Sequence, residues 1–401
     1  MSHHSQAGSR RARVVLLLAA ASSLFLLSCS RQVQTAAPRH PDPRFLPLPP
    51  ASRDADDVGR FLAGLPGTPG SPFTDLEQEE AWRVHRAELD RAWSRVAAGM
   101  LPGMRQFQAR ELGRAGIGRS LVFYPFSGPD ALMITVFFPD SPVYVMVGLE
   151  PAGTLPTRRQ FRGKELAAQL AKERETVDSE LQRSFFITRQ MDRQFRGQVT
   201  DGLFVPILHL LLRSGHTVTR YRYVRLNEQG EVIERAASYH APGKIGNKGV
   251  EIDFRADNGG PEHRLFYFSV NLSNERLRQD PAFLAFLESF AGCTTFFKAT
   301  SYMTHQPEFS IIREQVLAHS AAVLQDDSGI PFRFLDTPSW QVQLFGDYTR
   351  PYGSFRWLEQ PDLRKAYGRP DVKPLSFRIG YGFSRVPSNL LLATAESEPR
   401  P

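Results

Sequence analysis

Apolar and polar positions change period several times along the 401-residue chain, and the changes mark its elements. Val58, Phe61 and Leu62 form a short amphipathic piece that opens the folded part near Asp54. Thr74-Asp75-Leu76-Glu77 has the spacing of a capping box, and Trp82, Leu89, Trp93 and Val96 follow at helical intervals. A second helix is predicted over 104–112. Residues 120–126 alternate and are rich in β-formers, which predicts a strand, and 143–149 predicts another. Between them, Ser127-Gly128-Pro129-Asp130 supplies a serine cap, an early proline and a first-turn acid for a short helix. Leu166, Leu170, Val177, Leu181, Phe185, Met191 and Phe195 mark a long amphipathic helix ending before Gly197, and 206–212 a shorter apolar one.

The period then turns from helical to alternating. Residues 217–225, 232–237, 249–254 and 265–270 predict four strands of a meander, with turns at Glu228-Gln229-Gly230 and Asn258-Gly259-Gly260. A helix at 281–290, a strand at 294–300 and a helix at 309–324 come next. Strands at 331–335 and 341–345, a helix at 362–367 and a strand at 375–380 complete the pattern. Beyond Ser388 there is no fold signal, and 391–401 reads as a disordered tail. The expected class is α+β, or mixed α/β: a mixed sheet with a central antiparallel meander and flanking helices. The body, 54–390, is either one domain or two lobes, 54–200 and 201–390.

The first residues carry a different pattern. Arg10, Arg11 and Arg13 precede an apolar run over 14–27, which ends in Leu26-Leu27-Ser28-Cys29. A basic head, a short apolar middle and a small residue before the break make an export signal, too short for a comfortable membrane span. Cys29 resembles the lipobox cysteine of bacterial lipoproteins, with Leu27 departing from the small or β-branched residue usual at its place. The resemblance implies a signal peptide over 1–28, cleavage before Cys29, and acylation of its thiol and new amino terminus. Such anchoring holds only with more than one acyl chain, each buried CH₂ contributing about 0.8 kcal/mol. Ser30 after the cysteine implies sorting to the outer membrane, at its periplasmic face or surface. Pro38, Pro41, Pro43, Pro47, Pro49 and Pro50 make 29–53 a semi-stiff, lipidated tether.

Charge adds little to this picture. The chain has 49 basic and 42 acidic residues, net +7, and losing three leader arginines leaves +4. Alternating signs, as in Lys172-Glu173-Arg174-Glu175, describe a solvated face and argue against nucleic acid as a partner. With Cys29 acylated, Cys293 has no disulfide partner, and its apolar setting predicts a buried, inert thiol. There is no H-E-x-x-H, paired C-x-x-C or G-x-S-x-G, so no metal and no cofactor is expected. Gly113 to Ser120 is spaced like a phosphate loop but leaves a helix and enters a strand, which makes it a connector. His209, on an apolar helix face, reads as a core histidine.

Two segments keep unusual polar density beside apolar strands. The first is Tyr124-Pro125-Phe126-Ser127-Gly128-Pro129-Asp130, where a strand hands over to a helix. Ser127 and Asp130 there are either helix-capping residues or the rim of a site. The second runs from Lys298 through Thr300, Ser301, Tyr302 and Thr304 to His305, and continues at Asp326-Asp327-Ser328-Gly329. Lys298, His305, Asp326 and Asp327 have the acid, base and cation-holding chemistry of a catalytic site, or else form ordinary turns. These stretches, with Phe137-Phe138-Pro139, Gly148-Leu149-Glu150-Pro151 and Ser388-Asn389-Leu390, resemble a family of uncharacterised exported bacterial proteins over roughly residues 55–395. The resemblance supplies no activity. Two roles stay open: a non-catalytic envelope lipoprotein that binds a partner or ligand, and a hydrolase or transferase of an envelope polymer. A distance above about 10 Å between His305 and Asp327 excludes acid–base cooperation in the second.

Overall fold

The computed structural model describes residues 46–161, 163–181, 200–236, 247–351, 353–382 and 388–396. The leader, Cys29 and most of the tether lie outside them. Among the described residues ten strands join in one sheet. They are β1 (Val122–Tyr124), β2 (Val143–Gly148), β3 (His216–Leu226), β4 (Val232–Arg235), β5 (Lys248–Ala256), β6 (His263–Ser269), β7 (Cys293–Phe297), β8 (Ser320–Gln325), β9 (Trp340–Gly346) and β10 (Asn389–Ala395). Their order in space is β4-β3-β5-β6-β2-β1-β7-β8-β10-β9. The five strands β6-β2-β1-β7-β8 are parallel. Antiparallel pairs flank them on both sides, β4-β3-β5 against β6 and β10-β9 against β8.

The parallel strands are apolar on both faces because both faces are covered. Val122 and Tyr124 of β1, Tyr144 and Met146 of β2 and Phe296 of β7 point into one core. Phe123, Val145, Val147 and Phe297, one residue along, point into the other. The first core is closed by α1 (Asp54–Leu62), α2 (Glu80–Gly99), α3 (Leu101–Phe107), α4 (Ala131–Phe137) and α6 (Phe204–Arg213). A satellite cluster joins α5 (Leu166–Leu181) to α1 and α2 through Leu166, Leu170, Phe61 and Trp82. The second core is closed by α7 (Asn274–Gln279), α8 (Ala282–Leu287), α9 (Ser310–His319) and α10 (Pro361–Ala366).

Chain direction reverses at β1. From β1 the chain passes through α4 on the first face to β2, and later to β6 beyond it. From β6 it crosses the second face through α7 and α8 and enters β7 on the other side of β1. Numbered by chain order, the parallel strands lie 3-2-1-4-5, a doubly wound arrangement with its switch point between β1 and β7.

The class is mixed α+β, as expected, but the antiparallel strands are not central. They form a wing in which β3 lies between β4 and β5, and its residues Tyr223–Arg225 pair with β4 along one edge and with β5 along the other. β2 pairs with β6, so the halves on either side of residue 200 share one sheet.

Several local expectations are corrected. The helix expected over 309–324 stops at His319, and Ser320–Gln325 is β8. Its Ala322, Val323 and Leu324 are buried on both faces, and such an apolar run has no strand period to read. Residues 331–335 hold a 3-10 turn, Phe332–Phe334, instead of a strand. The strand expected at 375–380 is absent, and only Lys373 bridges Phe345 nearby. The expected tail holds most of β10, which pairs with both β8 and β9. Thr74 does not cap α2: its hydroxyl donates to Ser71 O (2.9 Å), and Glu77 accepts from Gly67 N (3.0 Å). α5 is described to Leu181, and the rest of the long helix predicted there lies outside the described residues. Residues 46–52 dock on the wing: Leu46 O accepts from Arg264 (3.1 Å), Pro47 O from Arg222 (2.8 Å), and Ser52 N donates to Thr219 O (3.1 Å).

Candidate functional site

The carboxyl ends of β6, β2, β1 and β7 open onto one cavity of about 110 Å³. Tyr124, Ser127 and Asp130 reach it from β1, Glu150 from β2, Asn271 from β6, and Lys298 to Ser301 from β7. Phe126 and Phe309 close one side, their rings edge to face at 5.7 Å. A cavity at the carboxyl ends of parallel strands, where strand order reverses, is where ligands sit in open α/β sheets.

A buried ion pair lines the cavity. Lys298 Nζ bridges to Asp130 Oδ2, and the Tyr124 hydroxyl donates to the same oxygen at 3.0 Å. All three residues are buried. Burial, and then the Asp130 carboxylate, push the Tyr124 hydroxyl well above its ordinary range, so it stays a donor. Ser127 is not the helix cap expected of it. The N-cap of α4 is Asp130, without a side-chain capping bond, and Ser127 Oγ lies within reach of Gly128 O (2.9 Å) and Val147 O (3.2 Å). That hydroxyl ties the β1 loop to the end of β2. Both of its contacts are backbone carbonyls, which cannot act as the base a nucleophile needs.

The loop after β7 is held in an uncommon conformation. Of the five non-glycine residues with positive φ among the described residues, Ala299, Ser301 and Tyr302 lie here and Phe126 lies in the loop after β1. Each costs roughly 1–3 kcal/mol and persists only when its surroundings over-determine it. Asp326 does this from β8: its carboxylate accepts Ala299 N (2.8 Å), Ser328 N (3.0 Å) and Ser328 Oγ (2.5 Å). Ser328 Oγ accepts Thr300 N (2.8 Å), and Tyr381 OH accepts Ser301 N (3.0 Å) while donating to Ala299 O (3.1 Å). Gly380, at φ +59°, passes so close to Asp326 that a Cβ there would lie 2.2 Å from Oδ2.

The remaining sequence candidates are near but do not line the cavity. Asp327 accepts from Tyr302 OH (2.5 Å) and Asn389 Nδ2 (3.3 Å), and burial followed by the neighbouring Asp326 pushes its carboxyl up to about 7. His305 packs its ring edge-on against Tyr302 at 5.1 Å. Burial, and then the Arg333 charge, lower its imidazole to about 4. The ring lies against the backbone of Asp327 and Gly329, while the Asp327 carboxylate is taken by Tyr302 and Asn389. His305 and Asp327 are thus neighbours away from the cavity lining, and in this arrangement the Asp327 carboxylate is engaged by Tyr302 and Asn389 rather than by the imidazole.

Lys298, Asp130 and Ser127 are thus brought together, and Asp326 stands directly behind them. Tyr124 opened the first polar segment without being given a role; missed from the sequence as site residues were Glu150 and Asn271, which line the cavity, and Tyr381, which braces its loop. Glu150 had a readable signal: an acid placed just after the apolar run 143–147. Tyr381 had none, since it lies 80 positions from the Ser301 it holds.

Cys293 is buried, its Sγ 3.8 Å from Thr295 and Ser320 hydroxyls, and burial raises its thiol. His209 is buried in α6 and held neutral by burial, as its apolar face suggested. Among the described residues no group of three or more His, Cys, Asp or Glu is placed to hold a metal ion, and no helix is long and apolar enough to cross a membrane. Comparison of the chain with family models, curated proteins and solved structures finds no match.

Proposed function

We propose that this is an exported, lipid-anchored protein of the cell envelope whose body binds a small polar ligand at the switch point of its sheet. One observation carries the binding reading: the cavity where four parallel strands end, lined by an ion pair and bounded by loops in strained conformations. The leader and Cys29 support the location. Calorimetry of the purified protein against envelope saccharides, peptides, amino acids and nucleosides tests the binding. A ligand whose affinity falls at least about tenfold in Asn271→Ala supports it, that being the scale of one lost hydrogen bond in a buried site. Failure of the whole panel overturns it.

A second reading, transfer or hydrolysis at the same cavity, is favoured by Lys298, Asp130 and Tyr124. They offer an ammonium, a carboxylate and a phenol to one space, enough to move a proton on a bound substrate. Product formation by wild type and not by Lys298→Arg, with binding retained, would select this reading over binding alone.

A further inference from the structure

We infer that the cavity takes a nucleoside whose 5′ substituent carries no phosphate. This rests on the small-ligand reading above and names the ligand's chemistry. The parallel strands run 3-2-1-4-5 about β1, the order in which a nucleotide's sugar meets the end of the second strand. In such sheets an acid about 20 residues beyond the first glycine turn accepts the ribose hydroxyls. Gly128 stands in the turn after β1, and Glu150 follows β2 with its side chain buried at the cavity. Glu150 Oε1 is buried, so the other carboxylate oxygen is the one left to accept a ribose hydroxyl.

The end of the third parallel strand, β6, supplies the base site. Asn271, which lines the cavity, accepts Ser273 N through Oδ1 at 3.0 Å, so its NH₂ is the amide's remaining donor. Val270 and Leu272 give the apolar walls beside it. A donor between apolar walls suits the ring nitrogens of a purine.

Phosphate is disfavoured on two counts. The turn after β1 has one glycine followed by Pro129, which has no N–H, so the backbone cradle of a pyrophosphate is missing. The lining sets the carboxylates of Asp130 and Glu150 against the single cation of Lys298, so its summed charge is negative. A neutral, cationic or zwitterionic 5′ group fits that field, and a polyphosphate is repelled by it.

The test is calorimetry on the full mature protein in detergent with adenosine, S-adenosylmethionine, ATP, NAD and 2′,3′-dideoxyadenosine. Adenosine or S-adenosylmethionine should bind, with ATP and NAD at least about tenfold weaker. Dideoxyadenosine should also lose about tenfold or more, the scale of hydrogen bonds to a charged group. Glu150→Gln should abolish the preference for adenosine over its dideoxy analogue, with unchanged near-ultraviolet circular dichroism showing the fold intact. Equal binding of adenosine and dideoxyadenosine, or preference for ATP or NAD, overturns the inference. If no nucleoside binds but a saccharide or amino acid does, and Asn271→Ala weakens it, this inference falls while the small-ligand reading stands. If nothing binds, both fall.

Discussion

At the scale of single residues, the ion pair of Lys298 with Asp130 dominates the site. Breaking such a pair from one side leaves a charge buried and unmatched. Lys298→Met should cost about 3–5 kcal/mol in urea unfolding. The double variant Lys298→Met/Asp130→Asn should cost less than the sum of its singles, because neither side is then left charged. Additive losses would show that the pair contributes nothing as a pair. Asp327 makes a different prediction. Its folded pKa of about 7 lies above the ordinary 3.8, so between those values the native state holds a proton that the unfolded chain has released. Its contribution to stability is full below pH 3.8 and declines as pH rises toward 7. Asp327→Asn removes that decline, so relative to wild type the variant should gain stability between about pH 4.5 and 7.5, read from urea midpoints. A constant difference across that range would contradict the assignment.

At the scale of elements, the strands that the sequence disclosed are those bounded by turn residues on both sides. β3, β5 and β6 were readable from their β-forming residues and the turns at Glu228-Gln229-Gly230 and Asn258-Gly259-Gly260, although β5 and β6 are buried along nearly their whole length, and β2 was bracketed by its turns. β8 and β10 were hidden because central strands covered on both faces read as plain apolar runs, one attached to a helix and the other at the chain's end. The same contrast governs the site. Lys298, Asp130 and Ser127 stood out as polar groups at strand ends. Whether His305 and Asp327 shared their cavity depended on how the β7 loop folds back, and long-range contacts to Tyr381 and Ser328 decide that. β10 also makes a sharp prediction. A chain ending at Ser388 leaves the facing edges of β8 and β9 unpaired and should lose cooperative unfolding, whereas one ending at Glu396 keeps every described strand. Equal melting of the two would deny β10 its place in the sheet.

At the scale of the whole molecule, the proposed anchor and the fold can be tested separately. Labelled palmitate should enter wild type and be absent from Cys29→Ala, while the body's near-ultraviolet spectrum stays the same. Label in both would refute the anchor without touching the sheet. The spacer is the part that would join the two, and its last residues are not spare length. Arg222 and Arg264 grip the carbonyls of Leu46 and Pro47, and Arg222 is itself fixed by Glu251 at 2.8 Å. Between Cys29 and that grip an extended proline-rich leash could reach about 50 Å at most, at roughly 3.1 Å per residue. If Cys29 carries the proposed anchor, the two guanidiniums fix where its leash meets the body, and freeing Leu46 and Pro47 from them would lengthen that leash by as many residues as are released.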